Sequence, residues 1–240
     1  MPDAIAQYMT AQDTMSEQAK RTLTRLCDTL SGAPADTQRD TLLDLLPGIA
    51  DTYGDAMSEV AARWYEEYRA EQIGQDGYTA LSLPSQASEQ CTYAVRQGAG
   101  ALYGAAGDIQ VLANSLNVVL DYVVREQARK TVLGNVNADP AHPGWARYAE
   151  GNACAWCVMV ASQGGVYSSK QAAVSSKAGS RYHPGCRCVA VPCWGEPSRR
   201  LRDRLGECDS MYYKALEGLP VGGRGTSQVL AKLREMYGLK

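Results

Sequence analysis

The sequence predicts an α+β protein with a mostly helical N-terminal region, a small cysteine-rich α+β module and closing C-terminal helices. Apolar residues recur at three- and four-residue steps through most of the first 135 residues, which is the period of an amphipathic helix. In addition, five of the eight cysteines lie between residues 154 and 193. We therefore expect a helical region at 1–135, a module at 136–195 and a helical segment at 196–240.

The N-terminal region is predicted to contain four helices separated by proline- and glycine-rich turns. Pro47 is expected to break or bend the second helix, because proline lacks the backbone donor that a helix interior needs. Asp108 is expected to cap the fourth helix and Gly134 to end it. The glycines at 98, 100 and 104 are expected to let helices approach closely. The four expected ranges are 3–30, 36–70, 85–97 and 108–133.

The fourth of these helices is predicted to be amphipathic, with one apolar face and one solvated face. We expect the apolar face to supply much of the burial that stabilises this region, at roughly 25 cal/mol per Å² of apolar area. The apolar face contains Ile109, Leu112, Leu116, Val119, Leu120 and Val123. The face predicted to be solvated contains Asp121, Arg125, Glu126, Arg129 and Lys130.

The sequence predicts neither a membrane-spanning segment nor a secretory leader. There is no run of 18 or more apolar residues, which a transmembrane helix would need. The first twenty residues also lack a charged stretch followed by an apolar one. We therefore expect the cysteines to be mostly reduced, which favours metal binding over disulfide bonds.

The charges are distributed unevenly along the chain, although the formal net charge is only -2. Residues 1–150 contain 11 Lys and Arg against 20 Asp and Glu, a net charge of -9. Residues 151–195 contain four basic residues and no acidic one, and residues 196–240 have a net charge of +3. This polarity favours docking onto a charged partner, but its cationic part is too weak for a nucleic-acid-binding arm. An ordinary mixed-charge surface is the alternative.

Two short motifs bring together side chains that commonly bind metal ions. Cys154 and Cys157 form a C-x2-C pair, and His183, Cys186 and Cys188 form an H-x2-C-x-C series. Structural zinc is usually held by four such nitrogen or sulfur ligands, and a C-x2-C pair commonly supplies two of them. The sequence therefore predicts one structural zinc ion in the module, and such an ion would fold a segment too small to rely on its own core.

The second motif offers three candidates for the two remaining zinc ligands. His183 can fold back across the His-Pro-Gly turn. If the segment from Cys186 to Pro192 is a strand, Cys186 and Cys188 project from the same face. We favour His183 and Cys186, with Cys188 as a close competitor. The segment between the two motifs is expected to contain a short strand at Val166 and Tyr167 and a helical turn from Ser168 or Ser169.

Other interpretations of these cysteines stay open. Pairs could form disulfide bonds if the protein later enters an oxidising environment. A catalytic centre is disfavoured, because catalytic zinc needs a nearby carboxylate base and residues 151–195 contain no Asp or Glu. No single cysteine stands out as a nucleophile. The thiols could also be ordinary small buried hydrophobes, as we expect for Cys27, Cys91 and Cys208, with Cys193 as a further structural residue.

Two helices are expected after the cysteines. The first covers 197–218, and the second begins at a cap formed by Thr226 or Ser227. The second is expected to end at Tyr237, with Gly238 in a left-handed conformation. One face of the first helix contains Leu201, Leu205, Cys208, Tyr212 and Leu216.

The ordered series CAWCVMVASQGGVYSS … YHPGCRCVAVP resembles the Mu F-like family of phage minor head proteins, especially the versions in actinobacterial tailed phages. That family shows a C-x-x-C pair, a G-x-x-Y strand and an HPxCRC series that leads into a hydrophobic strand. The resemblance covers roughly residues 140–194. The matching positions are Cys154, Cys157, Gly164 to Tyr167, His183, Pro184, Cys186, Arg187 and Cys188.

The resemblance implies a minor capsid or head morphogenesis protein that acts in procapsid assembly near the portal. Its implied partners are the portal protein and the major capsid or scaffold proteins, with packaged double-stranded DNA as a further candidate and no membrane. Its implied location is the virion head, and the host cytoplasm during assembly. In some phages the corresponding gene is labelled a capsid maturation protease or is fused to one, so such a protease, or another cysteine or zinc hydrolase, is the alternative. We find no protease constellation, which favours a non-enzyme.

Overall fold

The computed structural model describes residues 3–74, 77–151, 153–162 and 182–240. These residues form seven α-helices, two short 3-10 turns and two β-strands, so the predicted class, a mostly helical α+β protein, is confirmed. The predicted strand at Val166 and Tyr167 and the turn after it lie outside the described residues. The helices are α1 (Ala4–Leu30), α2 (Ala35–Ile73), α3 (Ser88–Gly98), α4 (Ile109–Ala138), α5 (Ala155–Ala161), α6 (Arg199–Glu217) and α7 (Thr226–Tyr237). The strands are β1 (Gly144–Tyr148) and β2 (Val189–Cys193).

The chain divides into two compact units. The first contains residues 1–64 and 80–131, and the second contains residues 65–79 and 132–240. The second unit therefore combines the C-terminal part of α2 with residues 132–240, which lie much later in the chain. The boundaries expected at residues 135 and 195 stay a prediction. Within the described residues, no helix is both long enough and apolar enough to cross a bilayer.

The predicted helices are present, and two of them continue past an expected end or break. α2 continues through Pro47, so the predicted break there is absent, and a bend at this residue stays a prediction. α4 continues four residues beyond Gly134, which we expected to end it. A glycine inside a helix costs only about 1 kcal/mol relative to alanine, so packing of the surrounding turns can override it. The Asp108 cap is confirmed, because its carboxylate accepts the Gln110 N–H at 2.7 Å.

The polar face of α4 is largely buried in the first unit, so its expected solvation was wrong. Arg125 and Arg129 are 5% and 2% exposed, whereas Lys130 is exposed. Arg125 donates to Asp121 at 2.9 Å and to Asp13 of α1 at 2.8 Å. Acidic residues of α1 and α4 thus pair with Arg125, although the helical periodicity predicted that this side chain would be solvated.

Gly98 shows where a glycine allows two helices to approach. A Cβ at this position would lie 2.5 Å from Cδ1 of Leu112 in α4, and Leu112 is 1% exposed. The expected close approach is confirmed for Gly98. Gly100 differs, because a Cβ there would meet nothing within 4 Å.

We expect Gly98→Ala to lower the free energy of unfolding by about 1–3 kcal/mol, the usual cost of inserting a methyl group into a packed core. Gly100→Ala adds the same methyl group to the same segment and serves as the matched control. Urea denaturation followed by circular dichroism measures both changes. Equal stability of the two variants would contradict the packing that the structure shows.

The second unit contains a two-stranded antiparallel sheet. β1 and β2 pair over five residues, from Gly144 opposite Cys193 to Tyr148 opposite Val189, and every residue of both strands is buried. β1 lies in a segment that we expected to be an irregular boundary. β2 begins at Val189, so Cys186 and Cys188 precede the strand, and the strand alternation proposed for them was wrong.

Two arginines of α6 bind the C-terminal end of β1. Arg200 donates to the Tyr148 hydroxyl at 2.9 Å. Arg204 donates to the backbone carbonyls of Ala149 and Glu150, the latter at 2.9 Å. Part of the C-terminal positive charge therefore has a structural role within the unit.

The C-terminal helices lie close to their predicted positions. Ser198 caps α6 through its hydroxyl, which accepts the Leu201 N–H. α7 begins at Thr226 with Gly225 as its cap residue, one position before the expected cap. Gly238 ends it with φ +63°, as predicted.

Asp139 lies at the centre of a buried polar network in the second unit and is 0% exposed. Its carboxylate accepts hydrogen bonds from Arg69 Nε at 2.8 Å, Tyr65 Oη at 3.0 Å and Trp194 Nε1 at 3.0 Å. It also accepts the Ala141 N–H at 2.8 Å. These donors satisfy a buried carboxylate that would otherwise be strongly unfavourable.

Candidate metal centre

The first motif is positioned by the start of α5. Cys154 is the cap residue of this helix, and its Sγ accepts the backbone N–H of Cys157 at 3.4 Å. Cys157 therefore lies in the first turn, on the same side of the helix as the cap. This local geometry explains how a C-x2-C pair presents two sulfur atoms to one point.

The second motif is positioned by a tight turn over residues 183–186. The Cys186 N–H donates to the His183 carbonyl at 3.0 Å, which closes the turn. Gly185 has φ +76°, a conformation that other residues adopt only with strain. The turn brings His183 and Cys186 back towards the first motif, as the His-Pro-Gly sequence predicted.

The orientation of the His183 ring is set by its own turn. Nδ1 lies 2.8 Å from the Pro184 carbonyl oxygen, which can only accept a hydrogen bond, so Nδ1 is the donor. Nε2 then faces the sulfur atoms, 3.1 Å from Cys154 Sγ and 3.7 Å from Cys157 Sγ. A backbone carbonyl on one ring nitrogen is the usual support for a histidine that binds metal through the other.

The structure brings all five predicted residues together in two overlapping trios. One trio contains Cys154, Cys157 and His183, and the other contains Cys157, Cys186 and Cys188. The ligand atoms within each trio lie within 4.8 Å of one another, and the Sγ atoms of Cys157 and Cys186 are 3.4 Å apart. Around tetrahedral zinc, ligand atoms are roughly 3.5–3.8 Å apart, given bonds of about 2.0–2.3 Å. The donor set therefore fits a thiophilic metal ion.

The thiols of this cluster have unequal proton affinities. Hydrogen bonding with the Cys157 thiol lowers the pKa of Cys154 to about 5, although burial opposes the shift. Hydrogen bonds with Cys154 and Cys186 raise the pKa of Cys157. Metal ions bind thiolates, so binding would replace the protons that these groups share.

The remaining cysteines are buried and lie outside both trios. Burial raises the pKa of Cys27 and of Cys91 to about 11. Cys208 is 0% exposed and Cys193, in β2, is 4% exposed. They are the small buried residues that the sequence predicted. All eight cysteines fall within the described part of the chain, and each is a free thiol.

Sequence reasoning missed one charged residue beside the cluster. Arg147 of β1 is 1% exposed, and its guanidinium lies 3.8 Å from the ring centroid of Tyr182. The sequence feature that indicates this buried residue is an arginine flanked by apolar and aromatic residues, in Gly-Trp-Ala-Arg-Tyr. The prolines and glycines around this segment predict a loop, whereas the structure shows a strand.

Within the described residues, neither trio contains a carboxylate. Glu150 is the acidic residue just before the first motif, and its carboxylate lies 4.0 Å from Arg187 Nε. A donor set made only of cysteine and histidine is typical of structural metal sites, whereas hydrolytic sites keep an open position and a general base.

The fold and the cluster define a mostly helical α+β protein with a cysteine–histidine centre suited to a metal ion. The chain belongs to the VG15 protein family, which it matches over residues 1–215. It is 28% identical to the Gene 15 protein of Mycobacterium phage L5, over 38% of this chain and 44% of that protein. That match spans less than half of the relative. No solved structure matches the chain.

These comparisons show that the chain is a phage protein, which confirms the broader part of the resemblance. The matching family is VG15, and the narrower assignment to the Mu F-like minor head proteins stays a prediction.

Proposed function

We propose that this protein is a minor capsid or head morphogenesis protein of a tailed phage, of the Mu F-like type, with one structural zinc ion. The observation that supports this most directly is a closed cysteine–histidine donor set in a protein of a phage family. Such a centre stabilises a small module and leaves no position for substrate.

The proposed zinc ligands are Cys154, Cys157 and His183, with Cys186 or Cys188 in the fourth position. Thiolate and imidazole ligands favour zinc over magnesium or calcium, which prefer oxygen. The ion would join the start of α5 to the turn before β2. The two strands pair over only five residues each, so this link adds a stabilising connection to the packing around the sheet.

The proposed partners are the portal protein and the major capsid or scaffold proteins. The net charge of -9 over residues 1–150 and the cationic C-terminal third provide surfaces of opposite sign. In the described structure, Arg199 is 89% exposed and remains available to a partner, unlike Arg204. The proposed location is the procapsid and virion head, after assembly in the host cytoplasm. Packaged double-stranded DNA is a further proposed contact.

This proposal is tested by complementing a phage that lacks the gene. We expect the wild-type protein to be found in purified procapsids by mass spectrometry and to cross-link to the portal protein. Cys154→Ala should be absent from particles or strongly depleted, because its module no longer folds. Cys208→Ala removes a buried sulfur atom outside the cluster and should be incorporated normally. Absence of the wild-type protein from procapsids would contradict the assembly role.

One observation favours a second candidate, a cysteine hydrolase such as a capsid maturation protease. Cys154 Sγ lies 3.1 Å from His183 Nε2 and has a pKa lowered to about 5, which resembles an activated nucleophile. Against it, the other ring nitrogen of His183 is held by its neighbouring carbonyl rather than by an Asp or Asn side chain. A capsid protein that the purified chain shortens, and that it no longer shortens after alkylation of Cys154 with the fold intact, would establish the hydrolase.

A further inference from the structure

We infer that Arg147, held against Tyr182, is the charge partner of the metal centre and limits its ligands to three thiolates and one imidazole. This inference rests on the zinc centre proposed above. It assigns a role to Arg147, which is not one of the five expected ligands. It also implies that only one of Cys186 and Cys188 binds the metal as a thiolate.

The first support is the position of Arg147. It lies in β1 opposite Ala190 of β2, two positions after Cys188. Its guanidinium lies 3.8 Å from the ring centroid of Tyr182, the residue before His183. An arginine that is 1% exposed and stacked on an aromatic ring is held in one place. The same short segments therefore position both the guanidinium and the ligands.

The second support is electrostatic. An arginine side chain keeps its proton in folded proteins, so the buried Arg147 is a cation. The strand pairing and the stacking on Tyr182 place this cation beside the segment that contains Cys186 and Cys188, whose thiols become anions when a metal binds.

The third support is a count of charges. A divalent ion with three thiolates and one neutral imidazole has a net charge of -1, and one arginine brings the buried assembly to zero. Four thiolates would leave a net charge of -1 after the arginine is included. An uncompensated buried charge costs several kcal/mol. The exposed pair of Arg187 and Glu150 adds no net charge.

The proposed ligand count leaves one cysteine of the second trio outside the metal's coordination shell. Cys157 belongs to both trios and is common to any ligand set. Only one of Cys186 and Cys188 then binds as a thiolate, and the other stays a buried neighbour. This explains why five donors occur where a tetrahedral ion needs four.

The experiment uses the full chain loaded with Co²⁺ or Zn²⁺. The cobalt form should show the charge-transfer intensity of three thiolates, and only one of Cys186→Ala and Cys188→Ala should lose the metal. Arg147→Gln should weaken zinc binding by about 10–100-fold in chelator competition, the usual effect of losing a group that supports the ligands. It should also move metal release to higher pH, because protons compete better for thiolates that have lost a neighbouring cation.

Two further variants separate charge from packing. Arg147→Lys keeps the cation and should recover part of the affinity and of the pH shift, whereas a purely structural role would leave it no better than Arg147→Gln. Tyr182→Leu keeps the arginine but removes its support, and should weaken binding in the same direction. Arg125→Gln removes a buried arginine of the first unit and should leave metal affinity unchanged, even if it lowers stability.

The outcomes distinguish this inference from the proposed zinc centre. A wild-type chain that binds no metal contradicts the centre itself. A chain that binds metal through four thiolates, or whose affinity and release pH are unchanged in Arg147→Gln, contradicts only the role of Arg147. If Arg147→Gln does not fold, the other two variants decide the role of Arg147. The role is contradicted if Arg147→Lys and Tyr182→Leu bind the metal as tightly as the wild-type protein does.

Discussion

Replacing Cys157 with alanine is expected to release the metal ion and to unfold the module around α5 and β2. Cys157 is the residue that both trios share, and it is 1% exposed, so its loss removes the sulfur atom that links the two trios. Structural zinc contributes about 10–16 kcal/mol of apparent binding free energy, which is comparable to the whole stability of a domain. Elemental analysis and limited proteolysis with mass spectrometry measure the two effects.

The cleavage pattern makes this expectation specific. New sites should appear between residues 150 and 195, while α1 stays resistant because its core contacts lie in the first unit. Chelator treatment of the wild-type protein should give the same fragments. Cys208→Ala is the control, since it also removes one buried sulfur atom but leaves both trios complete. If Cys157→Ala retains its metal and resists protease like the wild type, the zinc centre is wrong.

Replacing Asp139 with alanine is expected to lower the free energy of unfolding by about 3–5 kcal/mol, the usual cost of breaking a buried ion pair. The substitution leaves the guanidinium of Arg69, which is 3% exposed, without its carboxylate. It also removes the acceptor for Tyr65 and Trp194. Urea denaturation of the metal-loaded protein measures the change.

Asp203→Ala is the matched control for this effect. Asp203 lies 3.7 Å from Arg199 in an exposed pair on α6, and such pairs contribute about 0–1 kcal/mol. A loss of stability in Asp139→Ala no greater than in Asp203→Ala would show that the buried network is not needed for folding.

The buried carboxylate of Asp139 also makes the free energy of unfolding depend on pH. Burial by itself raises the pKa of this carboxyl, but hydrogen bonds from Arg69, Ala141 and other donors hold it below its ordinary 3.8. A depressed carboxyl pKa stabilises the fold above the unfolded-state value, and this stabilisation is lost as pH falls through the folded-state value. Wild type should therefore lose stability below about pH 4 more steeply than Asp139→Asn.

Local sequence was sufficient to predict most helices and the composition of the candidate site. The C-x2-C pair and the His-Pro-Gly turn each form within a few residues, so their geometry depends on backbone rules that the sequence displays. Gly238 similarly ends α7 because a left-handed residue is needed there. For the same reason, the sequence predicts the five side chains of the candidate site, which the structure brings together.

Tertiary structure decided the features that depend on distant partners. Arg125 is buried because Asp13 of α1 pairs with it, although nothing in the sequence around either residue indicates the other. β1 forms because β2 supplies its hydrogen bonds from about forty-five residues away. The charge of Arg147 acquires a role only when this pairing brings it to Tyr182. The sequence by itself thus determined the helices and the spacing of the cysteine and histidine motifs, since both are local, whereas buried charges and strand pairing required contacts that only the folded chain creates.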